Sequence, residues 1–154
     1  MAEVKYKRVL LKLSGESLCK QGGFGIDDDA VKPVAERISK IAQLGIDVAI
    51  VVGGGNFLRG ATFASQSIPR YTADYMGMLA TVINACALRE TLEGHGQPAR
   101  VLSAIPVQQI CEPFARRNCL EHFEKGRVVI LAGGTGNPFF STDTCAALRA
   151  SEID

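Results

Sequence analysis

The stretch IDVAIVVGGGN, residues 46–56, decides the fold. Ile46 to Val52 is a near-continuous apolar run bounded by glycines, as expected of a strand buried on both faces of a parallel sheet. Gly53-Gly54-Gly55-Asn56 closes it. Immediately upstream, Asp27 offers an N-cap, and Asp28 and Asp29 place negative charge in the first turn of a helix. Val31, Val34, Ala35, Ile38, Ile41, Ala42 and Leu44 then follow the three-and-four spacing of one helical face, and Gly45 ends it. The spacing predicts a helix over 28–44.

The same grammar extends in both directions. Arg8 to Leu13 (RVLLKL) reads as a strand closed by Ser14-Gly15, and residues 16–26 read as a glycine-rich loop. Downstream, a helical pattern covers 72–93, with Met76, Leu79, Val82, Ile83, Cys86 and Leu88 as its apolar stripe. Arg100 to Ala104 is a short strand ended by Pro106, and 113–124 suits a short helix with Pro113 in its first turn. Val128 to Ala132 (VVILA) is a second buried-strand run, closed by Gly133-Gly134, and Thr142 and Asp143 open a helix through Leu148. Alternation of strand and helix implies parallel β-α-β units, hence an α/β fold: a three-layer α/β/α sandwich with a mainly parallel sheet. The last helix runs to Asp154 with no returning strand. The expectation is the amino-terminal part of a larger domain.

Composition limits the function classes. Lys and Arg total 17 against 16 Asp and Glu, a net charge of +1, so no broad basic field exists for nucleic acid or a lipid surface. No apolar run approaches a bilayer span, and no leader-like segment opens the chain, so a cytoplasmic location is expected. The 5 cysteines (Cys19, Cys86, Cys111, Cys119, Cys145) are scattered, with no Cys-x-x-Cys pair, and the only histidines are His95 and His122. That spacing suits reduced thiols packed as small apolar groups, with no protein-held metal. Both histidines fall in polar turns or helix ends, where solvation is expected.

Open parallel sheets bind ligands at the carboxyl ends of their strands. Those ends carry Lys12-Leu13-Ser14-Gly15, Gly53-Gly54-Gly55-Asn56, Ser103-Ala104 and Gly133-Gly134-Thr135-Gly136-Asn137. Glycines there expose backbone N–H groups that can cradle phosphate oxygens, so their joint placement points to a nucleotide. Neither G-x-x-x-x-G-K-[ST] nor a G-x-G-x-x-G opening a helix occurs, which disfavours a P-loop enzyme and a dinucleotide domain.

Lys12, within an apolar strand, either reaches a transferring phosphoryl group or is an edge lysine facing solvent. Arg59 could clamp a phosphate or lie on the surface. Asp74 could accept sugar hydroxyls or serve as a helix-terminal charge, and Asp143 could organise charge or cap a helix. Phe139 and Phe140 could be core.

Six stretches, YKRVLLKLSG (6–15), GGFGI (22–26), VGGGNFLRG (52–60), DYMGMLAT (74–81), LSAIP (102–106) and RVVILAGGTGNPFFSTD (127–143), occur in order along nearly the whole chain. Together they resemble the bacterial UMP kinases of the amino-acid-kinase superfamily. The last stretch is the most specific, since GTGNPFFSTD separates that family from relatives acting on acetylglutamate, carbamate or aspartate. The resemblance implies phosphoryl transfer from Mg-ATP to UMP, giving UDP for pyrimidine synthesis. It implies Lys12 and Asp143 as catalytic residues, and Lys12, Leu13, Ser14, Gly15, Gly55 and Arg59 on the ATP side. Gly54, Asp74, Thr135, Gly136, Asn137, Pro138, Phe139, Phe140, Ser141 and Thr142 would hold UMP. Lys20, Gln21, Gly22, Gly23, Phe24 and Gly25 would form the segment for allosteric activation by GTP, with UTP as inhibitor. Mg2+ would enter with ATP, and the assembly would be a cytoplasmic homohexamer. Two alternatives stand: a sibling kinase with another acceptor, and an inactive fragment that binds UMP or joins a full-length hexamer.

Overall fold

A computed structural model of the chain describes residues 5–58 and 67–154. The elements in order are β1 (Arg8–Leu13), a single 3-10 turn (Gly15–Leu18), α1 (Asp28–Ala42), β2 (Asp47–Val52), α2 (Arg70–Gly94), β3 (Ala99–Ser103), β4 (Glu112–Pro113), α3 (Arg116–Glu124), β5 (Val128–Ala132) and α4 (Thr142–Ile153). The five strands form one sheet in the order β1-β2-β5-β3-β4, and every pairing is parallel. All carboxyl ends therefore meet on one rim, as the alternation implied.

The sheet is covered on both faces. Val48, Ile50 and Val52 of β2 pack with Val31, Ala35 and Ile38 of α1 and with Val82, Ala85, Leu88 and Leu92 of α2. The alternate residues Ala49 and Val51 join Cys119 and Phe123 of α3 and Cys145 and Ile153 of α4 on the other face. This period of two is the geometry of a pleated strand, and burial of both sets explains the unbroken apolar run. The result is the expected three-layer sandwich. Four cysteines are buried and Cys86 is half-buried; all five are free thiols.

Several local expectations need correcting. Residues 16–26 are not all loop, because Ser14 caps the 3-10 turn by accepting from the Glu16 amide at 3.3 Å. Pro113 does not start a helix: Glu112 and Pro113 pair with β3, and α3 begins at Arg116. A proline lacks the ladder donor, and the strand β4 lies at the sheet edge, where that lack is tolerated. On α2, Leu79 and Ile83 face outward, 49% and 50% exposed, while Ala73, Ala80, Thr81, Asn84 and Ala85 are buried. Small side chains let this helix approach the loops beneath it, while Leu79 and Ile83 take its outer side. His122 is buried rather than solvated, with Nε2 2.9 Å from Glu112 and Nδ1 3.2 Å from Arg127.

Candidate functional site

The rim of the sheet holds an open cleft of about 180 Å³ between α2 and the loop after β5. Gly54, Asp74, Thr135, Asn137, Phe140 and Thr142, all expected to contact UMP, line it. Leu58, Ala73, Gly77, Met78, Thr81 and Gly134 complete it. Among the other residues expected there, Gly136, Pro138, Phe139 and Ser141 do not line the cleft but belong to the same loop. Phe139 and Phe140 are not core: they are 65% and 61% exposed.

Each wall is held by specific bonds. The loop after β5 turns through left-handed backbone at Gly133 (φ 75°), where an added Cβ would stand 3.0 Å from the Ile105 amide and the Ser103 hydroxyl. Only glycine fits that turn without strain. The Gly133 amide donates to Thr81 Oγ1 at 2.8 Å, and Thr81 Oγ1 donates to the Met78 carbonyl at 2.6 Å. From the opposite side, Arg149, 5% exposed, donates to the Gly134 carbonyl at 3.3 Å while its guanidinium stacks 3.9 Å above Phe114. Gly54 lies so close to α2 that a Cβ would be 2.7 Å from the Gly77 carbonyl and 2.9 Å from Ala80 Cβ.

Asp74 bridges the cleft. It accepts from Arg70 Nε at 2.9 Å through Oδ1 and from the Phe139 amide at 2.8 Å through Oδ2. Burial pushes its carboxyl up, but the hydrogen bonds from Arg70 and Phe139 and the Arg70 charge outweigh that, and its pKa lies below the ordinary value. Asp74 sits within α2, one turn past its start, so it is more than a terminal charge.

Lys12 and Asp143 meet. Lys12 Nζ lies 3.1 Å from Asp143 Oδ1, with the two side chains 36% and 77% exposed. Lys12 is exposed on the edge strand β1, as the solvent-facing reading expected, and its ammonium has Asp143 as an anionic partner at the rim. Asp143 is not the cap of α4, since Ser141 takes that place by accepting from the Thr144 amide at 3.2 Å. It occupies the first turn, where the helix dipole favours a carboxylate. It directly follows Thr142, which lines the cleft.

The Gly15 backbone packs against Gly53, Gly55 and the Asn56 side chain, so the turns after β1 and β2 interlock with no room for a Cβ at Gly15. Leu13 and Ser14 lie on this rim, Leu13 accepting from the Gly53 amide at 2.8 Å. Arg59 falls outside the described residues.

A second, larger cavity of about 670 Å³ lies behind the Gly55 turn. Lys20, Gln21, Gly22, Gly23 and Phe24 line it, together with Gly55, Asn56 and Phe57. Gly25 closes this loop by donating to the Asn56 carbonyl at 3.0 Å. Lys20 pairs with Asp27 at 3.0 Å, which raises the lysine pKa and lowers that of the carboxylate. Among the described residues no cluster of His, Cys, Asp or Glu could by itself hold a metal, and no helix is long and apolar enough to cross a membrane.

Sequence reasoning gave no role to three residues that hold the rim from beneath, Thr81, Asn84 and Arg149, and named Asn56 only as the end of the turn after β2. The one sign of the first three is polar side chains at positions where α2 and α4 turn toward the sheet.

The chain is 54% identical over 153 residues to the uridylate kinase of Methylococcus capsulatus, covering 99% of this chain and 64% of that protein. Its fold matches a UMP kinase crystal structure from Bacillus anthracis with TM-score 0.91 at 40% identity, over 96% of this chain and 61% of that one. It also matches the UMP kinase of Ureaplasma parvum with TM-score 0.90 at 38% identity, over 97% of this chain and 65% of that one. The chain thus spans about two thirds or less of the length of these relatives. The model of the amino acid kinase family matches residues 7–154, which takes in every strand of the sheet and the whole rim, and the chain belongs to that family.

Proposed function

We propose that this chain supplies the UMP-binding part and the phosphoryl path of a UMP kinase, in which the γ-phosphoryl of Mg-ATP passes to UMP and yields UDP and ADP. The observation that carries the reading is the cleft in which Gly54, Asp74 and the loop Thr135–Thr142 face one another beside the Lys12–Asp143 pair. Its residue types suit a nucleoside monophosphate. Asp74 offers carboxylate acceptors for ribose hydroxyls, and the Thr135–Thr142 loop offers backbone groups and exposed aromatic faces to a base. The start of α4 and the Gly54 turn present N–H groups to a phosphate. Relatives at 54%, 40% and 38% identity carry the names uridylate kinase or UMP kinase.

Phosphoryl transfer demands positioning and charge stabilisation more than covalent chemistry. Lys12 brings an ammonium group to the charge that develops on the transferring oxygens. Leu13, Ser14, Gly15 and Gly55 form the backbone floor on the ATP side. Asp143 orients Lys12 and offers one carboxylate toward the cation. Magnesium keeps several waters and is commonly held by one or two carboxylates plus substrate phosphates. Asp143 at the rim, with no cluster of metal ligands among the described residues, therefore fits a cation that arrives as part of Mg-ATP.

The loop Lys20–Gly25, lining its own cavity, is the proposed site of GTP activation, and UTP inhibition, UDP supply for CTP synthesis and a cytoplasmic location complete the reading. A homo-oligomer, hexameric as the resemblance implies, is supported by an uncharged outer stripe on α2 formed by Tyr71, Tyr75, Leu79 and Ile83, each 43–53% exposed. Repeated every fourth residue, these side chains form one ridge of the kind that packs into a neighbouring helix.

The test is calorimetric titration of the chain with UMP, CMP, AMP, acetylglutamate and carbamate, joined to an ADP-release assay. Selective UMP binding supports the reading, and preference for another acceptor overturns it. Because the chain spans 64% of the Methylococcus capsulatus relative, binding without turnover is a second reading, and the ADP assay separates the two.

A further inference from the structure

Two buried asparagines lie beneath the rim. Asn56 is 3% exposed and Asn84 is 0% exposed. Their side-chain amides face each other in a reciprocal pair: Asn56 Nδ2 donates to Asn84 Oδ1 at 2.9 Å, and Asn84 Nδ2 donates to Asn56 Oδ1 at 2.7 Å. Each amide then spends its second hydrogen on a loop. Asn56 reaches the Gly25 carbonyl at 2.7 Å, and Asn84 reaches the Gly53 carbonyl at 2.7 Å.

The pair touches a third turn as well, because a Cβ at Gly15 would stand 2.5 Å from Asn56 Oδ1. Three glycine turns, after β1, after β2 and before α1, thus converge on four amide hydrogen bonds. Buried amides without partners are costly, so a fully satisfied network of this kind specifies one arrangement of what it joins. Packing alone would not do this, since glycines offer no side chains to interdigitate.

We propose that Asn56 and Asn84 are positioning residues that set the backbone N–H array receiving the UMP phosphate, and that they tie this array to the Lys20–Gly25 loop. The inference rests on the UMP reading of the cleft. Asn84 spans from α2, whose Asp74 and Gly77 line the cleft, to the Gly53 carbonyl. Asn56 extends the same link to the loop of the larger cavity.

The experiment compares the full chain with Asn56→Ala, Asn84→Ala and the double variant, each titrated with UMP and with uridine well below its melting temperature. Val82→Ala, a cavity variant on the same helix, serves as the stability control. Loss of positioning weakens UMP about tenfold while uridine changes by less than about twofold, and the double variant is no worse than either single one, because each change empties the same network. UMP and uridine affinities that fall in step, or an unchanged ratio like that of Val82→Ala, overturn the proposal. Should the unaltered chain bind no UMP, the reading of the cleft fails, and amide hydrogen exchange decides the asparagines separately. Exchange at Gly25 at least about tenfold faster in Asn84→Ala than in Val82→Ala upholds the link, which Asn84 makes only through Asn56; equal rates overturn it.

Discussion

Asp74 on α2 accepts the backbone amide of Phe139 at 2.8 Å, across a sequence separation of 65 residues. This bond joins the two walls of the cleft. Phe139 has φ 71°, a left-handed backbone that a side-chain-bearing residue seldom adopts, and the Asp74 bond is one interaction that offsets its cost. Replacing Asp74 with Asn is expected to weaken UMP binding at least about tenfold, because the charged acceptor of the Phe139 amide is lost and, on the reading proposed above, so is one for the ribose. Calorimetry with UMP measures it.

The same carboxylate sets a pH dependence. Its native pKa lies below the ordinary value, so the ionised form is the one that stabilises the fold. That stabilisation is fully present above the unfolded value of roughly 3.9 and is lost as pH falls through the lowered native value. The difference in melting temperature between the unaltered chain and Asp74→Asn is therefore expected to be constant at neutral pH and to shrink below about pH 4. A series of thermal melts from neutral pH downward checks it.

Gly54→Ala is expected to destabilise the chain by about 1–3 kcal/mol and to abolish ligand binding in the cleft. An added methyl would meet the Gly77 carbonyl at 2.7 Å, and backbone gives way less easily than a side-chain tip. Urea titration gives the first quantity and UMP titration the second.

Lys12→Met separates stability from function. The Lys12–Asp143 pair is exposed, so its removal is expected to cost less than about 1 kcal/mol. Binding of Mg-ATP, or turnover where it is measurable, is expected to fall at least about a hundredfold under the role proposed for Lys12, in which its ammonium faces the phosphoryl group. A fall in stability matching the fall in binding would contradict this division.

Burial pushes the Cys111 and Cys119 thiols up to about 11. At pH 8 only about one in a thousand of either is thiolate, and neither is accessible. Alkylation of the folded chain followed by peptide mass mapping is expected to label half-buried Cys86 before Cys111, Cys119 or Cys145. Unfolding in denaturant should make all of them react.

If the chain assembles through the outer stripe of α2 as proposed, Leu79→Glu together with Ile83→Glu is expected to lower the oligomeric state while leaving each protomer folded, because both side chains point away from the core. Sedimentation velocity reads the mass, and circular dichroism reads the fold.

By itself the sequence determined the order of the longer strands and helices, the parallel sheet and the rim on which its loops gather. Apolar runs such as Val128–Ala132 and the glycines after them act locally, and local periodicity survives without knowledge of the partner strand. It also marked six of the cleft-lining residues through motif resemblance. Only the tertiary structure decided that Leu79 and Ile83 face outward, that His122 is buried, that Pro113 sits in an edge strand and that Lys12 meets Asp143. It alone brought Asn56 onto Asn84 and Asp74 onto Phe139. The physical reason is common to all of these. A helix apolar on every side does not declare which face is covered, and a hydrogen bond between residues distant in the chain depends on the crossover that carries them together, not on either residue's neighbours.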